Sequence, residues 1–236
     1  MTTANTSRGN NFLEPAAIVT GFGLRRGDHA ADFGAGHGFF ALAMARATGR
    51  EGKVWAVDVQ KSALDIVRSR AMAEHMLNLE YLCADLEESG SSGLPERFMD
   101  FVLIGNMLFQ AEQRGEILRE AWRCLRSGGR LAMIEWDVPL PTLRDVSEQG
   151  TSGTMSEGTV RSTASNIGSG TQGRGTTGDG VLLSTNRNIG SGTLGPPAAQ
   201  RLKKQDAKAL ATGAGFELDR EFSAGPHHYG LLFVKK

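Results

Sequence analysis

Ala31-Asp32-Phe33-Gly34-Ala35-Gly36-His37-Gly38-Phe39 joins an apolar run, His29 to Phe33, to an alanine-rich helical segment, Phe40 to Thr48, through three glycines at alternate positions. The pattern predicts a strand, a tight turn and a helix N-terminus. Glycines let the turn adopt left-handed backbone and let a ligand approach closely, while the helix beyond offers free N–H groups and a partial positive charge. A nucleotide-like ligand is expected there. A dinucleotide fingerprint, Gly-x-Gly-x-x-Gly, would need a glycine at position 39, where Phe39 stands; the third glycine is Gly38.

Outward from this turn, strands and helices alternate. Lys53 to Asp58 is a second buried strand ending in an acid, and Lys61 to Met76 has apolar residues at 64, 67, 71 and 72, the spacing of a helix with one buried face. Leu79 to Cys83 is a third strand closing on Ala84-Asp85, and Phe98 to Ile104 a fourth closing on Gly105-Asn106. A helix from Glu112 to Leu125 follows, and Ser127-Gly128-Gly129 turns the chain into a fifth strand, Arg130 to Trp136. Alternation of this kind predicts a parallel sheet with right-handed crossovers. Before it lies a short helix, Ala16 to Phe22. After it come a helix, Leu202 to Thr212, and two strands, Phe216 to Phe222 and His228 to Val234, whose short link makes them antiparallel.

Between residues 147 and 195 the composition shifts to Gly, Ser and Thr, and Asn166-Ile167-Gly168-Ser169-Gly170-Thr171 recurs as Asn188-Ile189-Gly190-Ser191-Gly192-Thr193. Such a stretch has too little apolar surface to offset its ordering entropy, so it is expected to be a flexible insertion. The other reading is a lid anchored by Val181-Leu182-Leu183. The remainder, within 1–236, is expected to be a single domain. Lys plus Arg and Asp plus Glu both number 26, so no global charge attracts nucleic acid, which is an unlikely partner. Cys83 and Cys124 lack zinc or redox spacing and are expected to be reduced and buried. Met1 to Asn11 is polar, without the apolar core of a signal peptide, and no run is long enough to span a membrane; a cytoplasmic protein is expected.

The pattern Asp32-x-Gly34-x-Gly36-x-Gly38, together with Gly52-Lys53-Val54-Trp55-Ala56-Val57-Asp58, Ala84-Asp85 and Leu125-Arg126-Ser127-Gly128-Gly129-Arg130, resembles the class I S-adenosylmethionine (SAM) dependent methyltransferases. Within that class the chain looks like small bacterial enzymes related to the quinone-biosynthesis C-methyltransferases. Phe12-Leu13-Glu14-Pro15 and Gly225-Pro226-His227-His228-Tyr229-Gly230 look like marks of a less characterised bacterial subgroup. The resemblance covers residues 12–137 and 196–236. It implies a doubly wound, Rossmann-like, mostly parallel seven-stranded α/β sheet with an antiparallel C-terminal strand, interrupted by the insertion after strand five. It also implies SAM as cofactor, S-adenosylhomocysteine as product, and a loop of Gly34, Ala35, Gly36 and Gly38 around the methionine part. His37 stands where a small polar residue is common, and the insertion falls where relatives build the acceptor pocket.

Ligands of a doubly wound sheet lie beyond the carboxyl ends of its parallel strands. Asp58, followed by Val59, is placed for the ribose hydroxyls, or to cap the Lys61 helix. Asp85, with Ala84 and Leu86 beside it, is placed for the adenine amino group, or as a helix cap. Asn106 would face the methionine portion or the acceptor. Asp32 suits the cationic amino group of methionine, or serves only to fix the loop. Asp137, at the end of strand five with Glu135 and Trp136, and His228 and Tyr229, with His227 at the start of the last strand, are the candidates for binding an acceptor or taking its proton. No metal site is expected, since His227 and His228 point to opposite faces. The expected activity is in-line transfer of a methyl group from SAM to a small-molecule acceptor, with neither acceptor nor oligomeric state legible. The other classes are a SAM-binding regulator or scaffold without transfer, and a dinucleotide-dependent oxidoreductase.

Overall fold

The structure, a computed structural model, describes residues 13–138 and 195–236. The expected insertion and its Val181-Leu182-Leu183 anchor lie outside the described residues, apart from Gly195. Seven strands form one sheet in the order β3-β2-β1-β4-β5-β7-β6, with β1 at His29–Phe33, β2 at Lys53–Asp58, β3 at Leu79–Cys83, β4 at Met99–Gly105, β5 at Leu125–Trp136, β6 at Phe216–Ser223 and β7 at His228–Lys235. β1 to β5 pair in parallel. β7 is antiparallel to both β5 and β6, between which it is inserted, so the antiparallel strand is internal and β6 forms the edge.

The sheet is covered on both faces, as a parallel sheet requires. Among the described residues the α-helices are α1 at Pro15–Thr20, α2 at Phe39–Thr48, α3 at Lys61–Ala73, α4 at Arg114–Cys124 and α5 at Lys204–Gly213. Ala31 and Phe33 of β1 join Ile117, Leu118 and Ala121 of α4 and Ala207 and Ala211 of α5 in one core. Ala30 packs on the opposite face with Val19 of α1, Ala41 and Met44 of α2 and Leu64 and Val67 of α3. Alternate residues of one short strand thus serve two cores, the period-2 consequence of the pleat.

Helix ends deviate from the periodicity for identifiable reasons. α3 stops at Ala73 rather than Met76 because His75 takes a left-handed φ of 53°. α4 begins at Arg114, and the Glu112 and Gln113 amides just before it donate to Glu87 Oε2, at 2.8 and 2.5 Å, as the free amides at a helix start require. At the other end of α4, Lys235 Nζ donates to Trp122 O (2.5 Å) and Leu125 O (2.7 Å), bringing a cation to the negative end of the helix. The glycines of Ser127-Gly128-Gly129 do not separate α4 from β5: β5 starts at Leu125, opposite Met99, and the register shifts before Phe101 pairs with Arg130. Cys124 is buried, whereas Cys83 is exposed, contrary to expectation. Only β2 pairs with β3, and Cys83 is its last residue, level with Asp58.

Candidate functional site

The strand order reverses at β1, with β2 on one side and β4 on the other, so the turn leaving β1 opens at the crevice where ligands of such sheets bind. Gly34, Gly36 and Gly38 all have left-handed φ, 72°, 50° and 77°. Their surroundings differ. A Cβ on Gly38 would stand 2.6 Å from the Val67 side chain, and one on Gly34 would stand 2.9 Å from Met107 Sδ, whereas one on Gly36 would meet nothing within 4 Å. Gly38 and Gly34 therefore let the loop pack on α3 and on the segment after β4, and Gly36 faces open space.

Neighbouring strands hold the loop. Gly34 and Ala35 donate to Val57 O (2.9 and 3.0 Å), and Gly36 donates to Asp58 Oδ2 (2.8 Å). The other oxygen, Asp58 Oδ1, accepts the Gln60 amide at 2.8 Å at the start of α3. Each oxygen has a second lone pair, so the half-buried carboxylate orders two loops and keeps acceptor capacity toward the crevice. Val59, 60 % exposed, follows it at the rim.

Asp32 is buried beside the first turn of α2, where the Ala41 N–H favours its charged form; the N-cap of that helix is Gly38, which has no side chain to cap it. Desolvation by burial, and secondarily the negative charge of Asp58, outweighs the pull of this N–H and pushes its carboxyl up to about 7. Its Oδ2 has no partner. The acid in β1 therefore sits beside the helix that follows the glycines, and one buried acceptor is left over. Asn106, just past β4, adopts a left-handed φ of 52°, gives its N–H to Ile134 O (2.8 Å) and leaves its Oδ1 buried without a partner. Asn is among the few residues that accept this conformation cheaply. Asp85 is exposed, and its Oδ1 accepts the Glu87 amide at 2.9 Å; Ala84 donates to Asp58 O (3.1 Å) and Leu86 is buried. Asp85 thus caps a local turn while staying accessible at the carboxyl edge.

β7 begins level with the end of β5, Trp136 opposite His228 and Glu135 opposite Tyr229, so the acid and histidine candidates do reach the same edge as the glycine loop. They differ in what is left for chemistry. Tyr229 is buried, its hydroxyl donates to Leu202 O at 2.9 Å, and burial pushes its pKa far above that of a free phenol. His228 is buried against Trp136, with ring centroids 4.1 Å apart; desolvation, then the neighbouring His227 and Arg201, lowers its pKa to about 4, and its Nε2 has no partner. Asp137 is exposed; its amide donates to His227 O and its carbonyl accepts Arg201 Nη1.

Glu135 is the residue whose role the sequence did not convey. It is fully buried, and its Oε1 accepts the amides of Met107 (3.1 Å) and Leu108 (2.7 Å), fastening the segment that follows Asn106. Burial pushes its carboxyl up to about 7 against the opposing pull of these amides. An acid within an otherwise apolar strand was the available signal, since such a residue must find donors. Among the described residues, no group of three or more His, Cys, Asp or Glu is placed to hold a metal ion.

The residues fit a SAM-sized group: a glycine facing open space, a carboxylate with spare lone pairs, and buried unpartnered oxygens on Asp32 and Asn106 at the same edge. Comparison with known proteins agrees. Residues 31–133 match the model of a methyltransferase domain. The ubiquinone/menaquinone biosynthesis C-methyltransferase of Neisseria meningitidis serogroup C is 28% identical over 113 residues, 48% of this chain and 44% of that protein. The Yersinia pestis protein of the same name is 29% identical over 119 residues, 50% and 46% of the two chains. The chain therefore spans about half the length of the curated relatives it matches. Among solved structures, a SAM-dependent methyltransferase from Aquifex aeolicus superimposes with a TM-score of 0.67 at 18% identity, covering 96% of this chain and 92% of that one. An arsenic(III) SAM methyltransferase from Chlamydomonas reinhardtii gives 0.55 at 19% identity, covering 89% and 64%. At such identities the likeness is one of fold.

Proposed function

We propose, from the premise that residues 31–133 form a class I SAM-dependent methyltransferase domain, that this chain transfers a methyl group from SAM to a small-molecule acceptor. The observation that carries the reading is the Gly36–Asp58 hydrogen bond, which fixes the open glycine and the strand-ending acid on one side of the crevice. In this reading Gly34, Ala35, Gly36 and Gly38 line the methionine portion. Asp58 accepts from the ribose, with Val59 against the adenine, and Ala84, Asp85 and Leu86 complete the base site. Asp32 Oδ2 and Asn106 Oδ1 are the acceptors available to a cationic amino group.

SAM, when bound, supplies a methyl group already activated on a sulfonium. The chain has to hold the acceptor in line with it, exclude water and receive at most one proton. His228, neutral at physiological pH with an unpartnered Nε2, is the candidate for taking that proton. Tyr229 serves to position its strand, and Asp137 is available at the rim. We read residues 1–236 as one domain and the protein as cytoplasmic and bacterial. That reading is supported by bacterial relatives, by two free cysteines and by the lack, among the described residues, of any helix long and apolar enough to cross a membrane.

The test is incubation of the purified chain with methyl-tritiated SAM and fractionated bacterial metabolite extract. Label appearing in a small-molecule fraction, reduced by Asp58→Ala at sub-saturating SAM, is the expected result. Tight SAM binding without transfer to any fraction would instead make the chain a SAM-binding regulator.

A further inference from the structure

A cavity of about 410 Å³ lies beyond the carboxyl end of β4, between the start of α4 and the start of α5. Among the described residues its wall carries three cations, Arg114 from α4, Arg201, and Lys203 at the N-cap of α5, against one acid, Asp206, with Phe109 and Leu202 as the apolar part. Neutral backbone carbonyls hold the Arg114 guanidinium and make part of the contacts of Arg201. Arg114 donates from Nε to Leu108 O (2.7 Å) and from Nη2 to Phe109 O (3.1 Å); Arg201 donates to Pro196 O (2.9 Å) and Asp137 O (2.6 Å). Its carbonyl partners orient Arg114 without neutralising it, and the Nη1 of Arg114 donates to no described residue. α5 also has no side-chain cap, so its first amides add to the positive potential at the same wall.

The cavity adjoins the crevice of the glycine loop. The Met107 side chain lies over Gly34, close enough that a Cβ there would be 3.2 Å from Met107 Cβ, and Phe109 follows two residues later, a backbone distance of at most about 7 Å. Glu135 fixes this link through the Met107 and Leu108 amides.

We infer that this cavity is the acceptor subsite, and that it anchors a small acceptor through an anionic group, carboxylate or phosphate, whose apolar body rests on Phe109 and Leu202. The inference rests on the methyltransferase reading for the word acceptor, but the anion preference stands on the cavity alone. The volume suits a single substituted ring, and the planar fork of Arg114 suits the paired oxygens of either anion. Lys203, exposed and with its ammonium outside any hydrogen bond or ion pair among the described residues, tunes the preference without being needed for the fold.

The test is calorimetric titration of the full chain with benzoate, phenyl phosphate and neutral benzyl alcohol at constant ionic strength, on wild type and Lys203→Glu, with S-adenosylhomocysteine titrated in parallel. At least one anion should bind about tenfold more tightly than the alcohol. Lys203→Glu should reduce that advantage at least about threefold while leaving the S-adenosylhomocysteine affinity unchanged. Whichever anion binds more tightly identifies the source of the charge. Equal binding of all three probes, or an anion preference untouched by Lys203→Glu, would overturn the inference. Failure of S-adenosylhomocysteine to bind wild type would instead count against the cofactor reading and leave the anion result to be judged by itself.

Discussion

Asp58 Oδ2 accepts the Gly36 N–H at 2.8 Å, so the acid that ends β2 and the glycine in the middle of the β1 turn form one unit across two neighbouring strands. The same carboxylate starts α3 through Gln60. A single side chain thereby sets loop shape, helix entry and acceptor capacity at the crevice, and its removal should be felt in both stability and binding.

Asp58→Ala leaves the Gly36 and Gln60 amides without their acceptor and removes the proposed ribose contact. SAM affinity should fall by about 1–3 kcal/mol, and the unliganded chain should lose about 1 kcal/mol of stability, the scale of a half-exposed hydrogen-bonding partner. Titration with S-adenosylhomocysteine and urea unfolding check the two separately. Affinity unchanged in a folded variant would refute the ribose assignment.

Gly36→Ala and Gly38→Ala separate ligand space from packing. Both impose a side chain at positive φ, costing about 1 kcal/mol. At Gly38 the new methyl also strikes Val67, so this variant should be much the less stable, seen as a lower melting temperature. At Gly36 the methyl projects into open space, so the melting temperature should fall little while SAM affinity drops more than tenfold.

Asp32 and Glu135 both have their carboxyls pushed up to about 7, primarily by burial. Unfolded, they titrate near 4. Between these values the folded chain holds more protons than the unfolded one, so stability must fall as pH rises from about 4 to 7 and level off above. Each group contributes a slope of at most about 1.4 kcal/mol per pH unit. Urea unfolding from pH 5 to 8 should show this decline, and Asp32→Asn should flatten it. A slope unchanged in Asp32→Asn would show that Asp32 titrates normally.

Glu135→Ala strips the Met107 and Leu108 amides of their acceptor and opens a hole in β5. A loss of about 2–3 kcal/mol is expected. Glu135→Gln keeps an oxygen for the amides and should recover most of it. Tyr229→Phe, which loses only the bond to Leu202 O, should cost about 1 kcal/mol without altering the pH dependence of any methyl transfer.

Much of the fold was legible because its signals are local. The apolar runs at 29–33, 53–58 and 98–104 had the length of buried strands, the first and third followed directly by a glycine and the second ending in Asp58. Antiparallel pairing of β6 and β7 followed from the short link, but the placement of β7 beside β5, between it and β6, depends on long-range pairing that no local pattern records. The exposure of Cys83 was likewise hidden, because an edge strand and an inner strand can carry the same residues. At the site, the glycine spacing and Asp58 were readable. Asp32 was read for the amino group of methionine or for fixing the loop, and its place beside the first turn of α2, like Glu135 as the fastener of the Met107 segment, came only from tertiary structure. Arg114 and Lys203 gave no signal, since single cations at helix starts are ordinary surface residues until a cavity lies between them.

The central claim is that the Gly34–Gly38 loop and Asp58 form a SAM site. Isothermal titration of the purified chain with SAM and S-adenosylhomocysteine, with NADH as control, tests it most directly. Micromolar binding of the first two and none of NADH is the predicted result. Binding of NADH in their place would make the crevice a dinucleotide site, and no binding of any of the three would make the glycine loop a structural turn in a repurposed fold.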